Sequence, residues 1–240
     1  NRSSHKPMRQ VSTLPYDPVV YQRRDTIDVS GIGGSNVPRV VADYNKTGVK
    51  EYSDVAAIGY LYDAATDKWN MSDMAADLIY LGKKDSSIEL PLGLKVIHDS
   101  DHWIQLQDKT ISFPLFSSNE YLLTEQKSLT LNFVLVSLNE LNVELTEKLQ
   151  NDKSVVLVIQ TENEHAMAEL RRIFIGLMNK EVHCPVIIKR SYLNISNDKL
   201  MLYSSTDIGG LLIDGFGDAV WLTTEQTSPD TDSTSVKNSV

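Results

Sequence analysis

The sequence predicts an α/β fold of the (β/α) TIM-like barrel type, whether regular or degenerate. Short apolar runs alternate with amphipathic segments from Leu129 onward, a pattern typical of parallel βαβ units. About seven apolar runs have the length of strands, which suits a closed barrel better than a short open sheet. The 240 residues also match one barrel domain, because barrels of this size form single domains.

The second half of the chain gives the clearest elements. Ser137 and Glu140 have capping-box spacing before one apolar helical stripe, and Thr161 and Glu164 repeat that spacing before another. The predicted strands cover residues 129–136, 155–159 and 184–188, and a helix capped by Ser196 or Asn197 runs to Tyr203. Arg171 and Arg172 lie beside the second stripe, where a solvated helix face is expected.

The first half gives weaker signals. Gly31–Asn36 has the composition of a turn. The other predicted elements are strands at 37–43, 75–82 and 91–99, a short helix at 54–63 capped by Ser53, and a loop holding Trp69 and Met71. Gly33 and Gly34 could cradle a phosphate, but a simple hairpin turn is favoured because no helix N-terminus follows immediately.

The last apolar stretch is read as a strand buried on both faces, running from Leu211 into Asp214. Asp214 would then lie at the carboxyl end of a strand, which is the functional rim of α/β barrels. Gly215 and Gly217 would let the backbone turn tightly. Asp214 and Asp218 are interpreted as structural carboxylates that anchor this turn by accepting backbone N–H bonds.

Composition narrows the range of partners. The net charge of −9 argues against a nucleic-acid or anionic-membrane surface, and no apolar run is long enough to span a bilayer. Cys184 is the one cysteine, so the chain cannot form an intrachain disulfide or ligate an iron–sulfur cluster alone, and a reducing compartment is the simpler assumption.

Residues 1–15 are predicted to be a linker, residues 16–222 a barrel and residues 223–240 a disordered polar tail.

The sequence assigns no catalytic, cofactor-binding or metal-binding residue. His98, Asp99, Asp101 and His102 form the densest group of metal-capable side chains, but a polar strand-end loop is favoured, since such neighbours rarely converge. No nucleophile turn, phosphate loop or paired-histidine zinc motif is present, and His165 and His183 are interpreted as structural.

Several segments together resemble one family, the inserted middle domain of 4-hydroxy-3-methylbut-2-enyl diphosphate synthase of the plant, Bacteroidetes and chlamydial type. The resembling segments are Tyr21–Thr26, Ile32–Gly34 with Pro38, Ala76–Lys83, Leu90–Ile97 and Gly210–Leu222. The Arg-Arg, Ile-Gly-Gly and Pro pattern also resembles the opening of the family's catalytic barrel. There Ala42-Asp43-Tyr44 replaces a Gln-Ser-Met signature, and the anionic Asp43 would disfavour a diphosphate.

The resemblance implies that the chain is a segment of a longer enzyme. That enzyme reductively opens a cyclic diphosphate in the methylerythritol phosphate route to isoprenoids, using a 4Fe–4S cluster bound outside this segment. The implied partners are a flanking catalytic barrel, a cluster domain carrying Cys-Pro-x-Cys, and reduced ferredoxin or flavodoxin. The implied location is the bacterial cytoplasm, or the plastid for a plant-type source.

For this segment the resemblance implies a spacer without catalytic activity of its own. Its structural or interface candidates are Gly33, Gly34, Asp214, Gly215, Gly217 and Asp218. Two alternatives stay open. One is a free-standing barrel enzyme acting on a phosphorylated small molecule, with Asp43, Asp99 and Asp214 at strand ends, and the other is a regulatory binding module.

Overall fold

A computed structural model describes residue 11 and residues 13–225 of the chain. Most of the predicted linker and all of the predicted tail beyond Glu225 lie outside these residues. Eight parallel strands close into a barrel, so the predicted fold class is confirmed. Each barrel strand pairs with the next one in the chain, and the last pairs with the first.

The described residues contain twelve strands, of which β3 and β6–β12 form the barrel. The strands are β1 Asp28–Val29, β2 Ile32–Gly33, β3 Arg39–Asp43, β4 Tyr60–Asp63, β5 Lys68–Met71, β6 Leu78–Gly82, β7 Lys95–Asp99, β8 Ser112–Ser117, β9 Asn132–Val136, β10 Val155–Ile159, β11 Val186–Leu193 and β12 Ala219–Glu225. The helices are α1 Ser100–Gln105, α2 Ser118–Leu123, α3 Val143–Asn151, α4 Ala166–Asn179, α5 Asn197–Ser204 and α6 Gly210–Ile213. Two 3₁₀ helices cover Tyr52–Ile58 and Leu138–Glu140, and a π-helical turn covers Ser205–Gly209.

Alternation along each strand divides the core into two layers. Val156 and Val158 of β10 point into the barrel, while Val155, Leu157 and Ile159 pack outward against the helices. Every residue of β10 is buried, as expected for a strand covered on both faces. The apolar stripe of α4 packs on the outer layer.

The expectation of a strand at Leu211–Ile213 is wrong. These residues form α6, which continues the helical path of α5 and the π-helical turn. Leu211 is fully buried, whereas Ile213 is 76% exposed. Burial of one side only is typical of an amphipathic helix, whereas a strand covered on both faces would bury both residues. The strand itself begins only at Ala219 and continues to Glu225, three residues past the predicted domain boundary, and only Ala219 and Trp221 of it are buried.

The first βα unit also differs from the prediction. The helix expected at residues 54–63 is replaced by the 3₁₀ helix and the β4–β5 hairpin. Trp69 and Met71 therefore lie in a strand rather than a loop. Aromatic packing explains the hairpin, since Tyr62 pairs with Trp69 across the strands and stacks on Tyr52 at 3.9 Å between ring centroids.

Most of the expected barrel strands have bounds that differ from the prediction, and one strand was missed. Strands β6, β7 and β9 begin three or four residues later than the apolar runs that predicted them. Strand β8 and helix α2 were not anticipated, because Pro114 interrupts a short apolar run among serines. Counting β8 brings the barrel to eight strands.

Candidate functional site

Two ends of the barrel hold the residues relevant to function. We call the amino-terminal ends of the barrel strands the floor and their carboxyl ends the mouth. Asp218 lies at the floor, directly before β12, and is 2% exposed. Its carboxylate accepts bonds from the backbone N–H of Val186 at 2.9 Å, the guanidinium of Arg23 at 3.1 Å and the hydroxyl of Thr26 at 3.2 Å. Asp218 thus joins the entering segment to strands β11 and β12.

Arg24 makes a second connection at the floor. Its backbone N–H donates to the carbonyl of Gly215 at 3.0 Å, and its guanidinium donates to the carbonyls of Val182 and Cys184. Burial lowers the pKa of Arg24 from its usual value, and the negative charge of Asp218 partly offsets this by raising it. A Cβ on Gly215 would lie 2.7 Å from the Cα of Arg23, so this close approach requires glycine.

Gly33, which ends the β1–β2 hairpin, and Gly34, which follows it, lie at the same floor. Gly33 has φ +81°, and a Cβ there would lie 2.5 Å from the carbonyl oxygen of Ile27. The backbone N–H of Gly34 donates to Thr26 at 3.0 Å, which links the hairpin to Asp218. The candidates Gly33, Gly34, Gly215, Gly217 and Asp218 therefore gather in one place, although sequence separates them by up to 185 residues.

Asp214 lies outside the rim where the sequence analysis placed it. It follows α6 on the floor side of the barrel, because the preceding residues are helical. Its carboxylate accepts from the guanidinium of Arg171, which also donates to the hydroxyl of Tyr16 at 3.4 Å. Arg171 is therefore a partner of Asp214 rather than part of a solvated helix face, and the expected backbone bonds to Asp214 are replaced by this ion pair.

A charged aromatic cluster fills the mouth. It consists of five inward-facing residues, of which Asp43 and Asp99 end β3 and β7, while Tyr80, Lys189 and Trp221 lie within β6, β11 and β12. The hydroxyl of Tyr80 donates to Asp99 at 2.6 Å, and the indole N–H of Trp221 donates to Asp43 at 2.9 Å. The two rings pack edge to face with centroids 4.7 Å apart.

Lys189 provides the cation of this mouth cluster. Its Nζ lies 4.3 Å from the centroid of Trp221 and 5.9 Å from that of Tyr80, within the range of cation–π attraction. Burial lowers the pKa of Lys189, while the charges of Asp43 and Asp99 oppose that shift. Burial raises the pKa of Tyr80, and the hydrogen bond to Asp99 and the charges of Asp99 and Asp43 raise it further.

A cleft of about 830 Å³ opens beside the cluster at the ends of β10, β11 and β12. Lys189, Ser191 and Tyr203 are among its lining residues. Arg190 points to the opposite side of β11, where it donates to the carbonyl of Thr161 at 2.6 Å and pairs with the buried Asp207.

The histidine and aspartate group proposed as a weak metal candidate does not converge. His98 contacts the carbonyl of Gly82 at 3.2 Å, Asp99 bonds Tyr80, Asp101 pairs with Lys83, and His102 contacts Asp85 at 2.9 Å. Across the part of the chain that the structure describes, no three histidine, cysteine or acidic side chains are placed to hold a metal ion.

Cys184 does not fit an iron–sulfur cluster. The side chain is 1% exposed, and its thiol faces the carbonyl of Leu149 at 3.5 Å. Burial raises the pKa of this thiol to about 12, so a thiolate is strongly disfavoured. A cluster needs several thiolate ligands, and this chain has one cysteine.

Sequence reasoning missed Tyr80, Lys189 and Trp221 as members of one cluster. Period-two alternation could have found them, because each lies two residues after an inward-facing apolar residue of its strand. None of the described helices is both long enough and apolar enough to cross a membrane.

Comparison with known proteins shows similarity to one kind of enzyme. The chain is 27% identical over 224 residues to 4-hydroxy-3-methylbut-2-en-1-yl diphosphate synthase (flavodoxin) of Parabacteroides distasonis, covering 93% of this chain and 33% of the relative. The same enzymes of Phocaeicola vulgatus and Bacteroides thetaiotaomicron are 24% identical over 200 residues, covering 83% of this chain and 29% of each relative.

The resemblance stated from the sequence is therefore confirmed. The chain spans about a third of the length of the curated relatives it matches. No family model matches the chain, and no solved structure matches it.

Proposed function

We propose that this barrel is a spacer segment of a 4-hydroxy-3-methylbut-2-en-1-yl diphosphate synthase. The supporting comparison is the match of nearly the whole chain to one third of such an enzyme. In the complete enzyme, the reductive opening of the cyclic diphosphate would take place on flanking domains. A 4Fe–4S cluster would be held outside this segment, and flavodoxin is favoured over ferredoxin as electron donor because the relatives are flavodoxin-dependent by name.

One geometric observation carries the spacer role. The described chain enters at the floor, where the ring of Tyr16 packs on Phe216 with centroids 5.2 Å apart. It leaves at the mouth, where Glu225 ends β12 beside Leu193, the last residue of β11. The seven residues of β12 alone span about 20 Å. Domains attached before and after the barrel would therefore be held at opposite ends of a rigid body.

The glycine and aspartate motifs support this role by holding the entering segment in place. Gly33, Gly34, Gly215, Gly217 and Asp218 are proposed as structural residues of the floor, and Asp214 as the partner of Arg171. The mouth lacks the features of a diphosphate site, because Asp43 and Asp99 place two carboxylates beside one lysine. In a bacterial source, the enzyme would act in the cytoplasm.

The variant Asp43→Asn in the complete synthase tests whether the barrel takes part in catalysis. Asparagine keeps an acceptor for the indole of Trp221 but removes the charge. If the barrel is a spacer, we expect the variant to turn over substrate within about twofold of the unchanged enzyme. The assay is run once with ferredoxin and once with flavodoxin as the electron donor. If Asp43 were a general acid or base, the substitution would instead lower turnover by about 10²–10⁴-fold. A hundredfold loss at an unchanged melting temperature would contradict the proposal.

A further inference from the structure

Lys189 is the one cation of the mouth cluster, and the spacer role gives it no function. Ile187 faces the barrel core, so Lys189, two residues later on β11, faces the same interior. The side chain also borders the cleft at the mouth. Lys189 is half-buried, so part of the residue is open to solvent at this cleft.

The ammonium of Lys189 has no strong partner. Among the described residues, no carboxylate lies within ion-pairing distance of Nζ, and no hydrogen bond from it is formed. Its neighbours are the faces of Trp221 and Tyr80 at 4.3 and 5.9 Å. Burial lowers the pKa of this amine. A lysine that is desolvated in this way is a better nucleophile toward carbonyl carbon than an exposed lysine.

A proton donor and acceptor lie beside the amine. The hydroxyl of Tyr80 bonds the carboxylate of Asp99 at 2.6 Å, and the ring of Tyr80 borders Lys189. This pair can deliver a proton to an oxygen formed near Nζ and then recover one from the nitrogen. The adjoining cleft of about 830 Å³ has room for a small molecule.

We propose that Lys189 captures small uncharged aldehydes or ketones as a Schiff base at the barrel mouth. The nitrogen lone pair attacks the carbonyl carbon as the C=O π bond breaks, and a proton passes from the nitrogen to the oxygen to give a carbinolamine. The C–O bond then breaks with a proton from the Tyr80–Asp99 pair, water leaves, and the nitrogen returns its proton to that pair. Phosphorylated or carboxylated carbonyl compounds are excluded by the negative charges of Asp43 and Asp99. This site goes beyond the spacer role and does not depend on it.

Reductive trapping tests the proposal directly. The chain is incubated with dihydroxyacetone and sodium cyanoborohydride, and the modified lysines are located by peptide mass spectrometry. We expect Lys189 to be modified at least tenfold faster than any other lysine, and at least tenfold faster by dihydroxyacetone than by dihydroxyacetone phosphate. Lys68→Arg, a change on the exposed β5 strand, should leave modification of Lys189 unchanged. Modification of Lys189 at the rate of the surface lysines, or none, in a folded protein would overturn the proposal.

Tyr80→Phe separates a built site from a merely desolvated amine. This variant removes the proton donor and keeps the ring beside Lys189. We expect modification of Lys189 to slow by tenfold or more, while the surface lysines react as before and the thermal melt confirms folding. An unchanged rate at Lys189 would contradict the role given to the Tyr80–Asp99 pair.

Discussion

The floor and the mouth of this barrel use carboxylates in different ways. At the floor, Asp218 is 2% exposed and closed by three donors from separate segments. At the mouth, Asp43 accepts from the indole of Trp221 and from the backbone N–H of Asn45, Asp99 accepts from Tyr80, and both carboxylates remain partly exposed. The motifs of glycine and aspartate that carry the family resemblance lie at the floor. A recognisable motif can therefore mark how a barrel is closed rather than where chemistry takes place.

The largest effect is expected from removing the floor carboxylate. Asp218→Ala leaves the buried N–H of Val186 unsatisfied and the guanidinium of Arg23 without its partner, so the free energy of unfolding should fall by about 3 kcal/mol. Chemical denaturation measures this loss. Asp73→Ala, at an exposed position, is the matched control and should change stability by less than about 0.5 kcal/mol. If the two substitutions lowered the free energy of unfolding equally, Asp218 would not stabilise the floor more than an exposed aspartate does.

A smaller loss is expected from the hairpin glycine. Gly33→Ala forces a Cβ toward the carbonyl of Ile27 at a backbone φ of +81°, which should cost about 2 kcal/mol. Gly93 has open space around its Cα, so Gly93→Ala serves as the control and should be near neutral. Thermal melts of the two variants compare them, and a Gly33→Ala protein as stable as Gly93→Ala would show that the floor tolerates a side chain.

His98, on the outer face of β7, gives the mouth end a pH dependence. Burial lowers its pKa from 6.5, so the unfolded chain binds more protons than the folded chain just below that pH. The free energy of unfolding should therefore fall as the pH drops from 6.5, by up to about 1.4 kcal/mol per pH unit. His98→Gln should lose this part of the slope. Identical slopes for both proteins between pH 6.5 and 5.5 would show that His98 is not desolvated.

The mouth cluster should contribute less to stability than the floor. Tyr80→Phe removes one hydrogen bond to a partly exposed carboxylate, so the expected loss is about 1 kcal/mol or less. Chemical denaturation of this variant and of Asp218→Ala compares how much the mouth and the floor each contribute to the free energy of unfolding. A loss at Tyr80 as large as that at Asp218 would mean that the mouth is as important for folding as the floor.

Much of the barrel was predictable from sequence because its second half follows simple rules. The all-apolar run of β10 and the one-sided stripe of α4 each specify an element without tertiary information. The secondary-structure predictions were wrong where the conformation of a short segment depends on residues far away in the sequence. Leu211–Ile213 has the composition of a strand but continues a helix, and the β4–β5 hairpin is stabilised by aromatic contacts that sequence alone does not reveal.

The site was less predictable than the fold. The floor candidates were identified individually, but their convergence depends on Arg23, Arg24 and Thr26, which lie almost 200 residues before Asp218. Misplacing Asp214 followed directly from misassigning α6. The mouth cluster draws single residues from five strands, so it emerges only when the barrel closes.

The spacer role is tested most directly by replacing the barrel in the complete synthase. One version carries a short glycine–serine linker in place of residues 16–225, and the other carries the matching segment of the Parabacteroides distasonis enzyme. Cluster content and melting temperature establish that the flanking domains are intact. We expect turnover to fall at least a hundredfold with the linker and to stay within a few-fold of the parent with the relative's segment. Full turnover with the flexible linker would contradict the central claim that this barrel holds two domains apart.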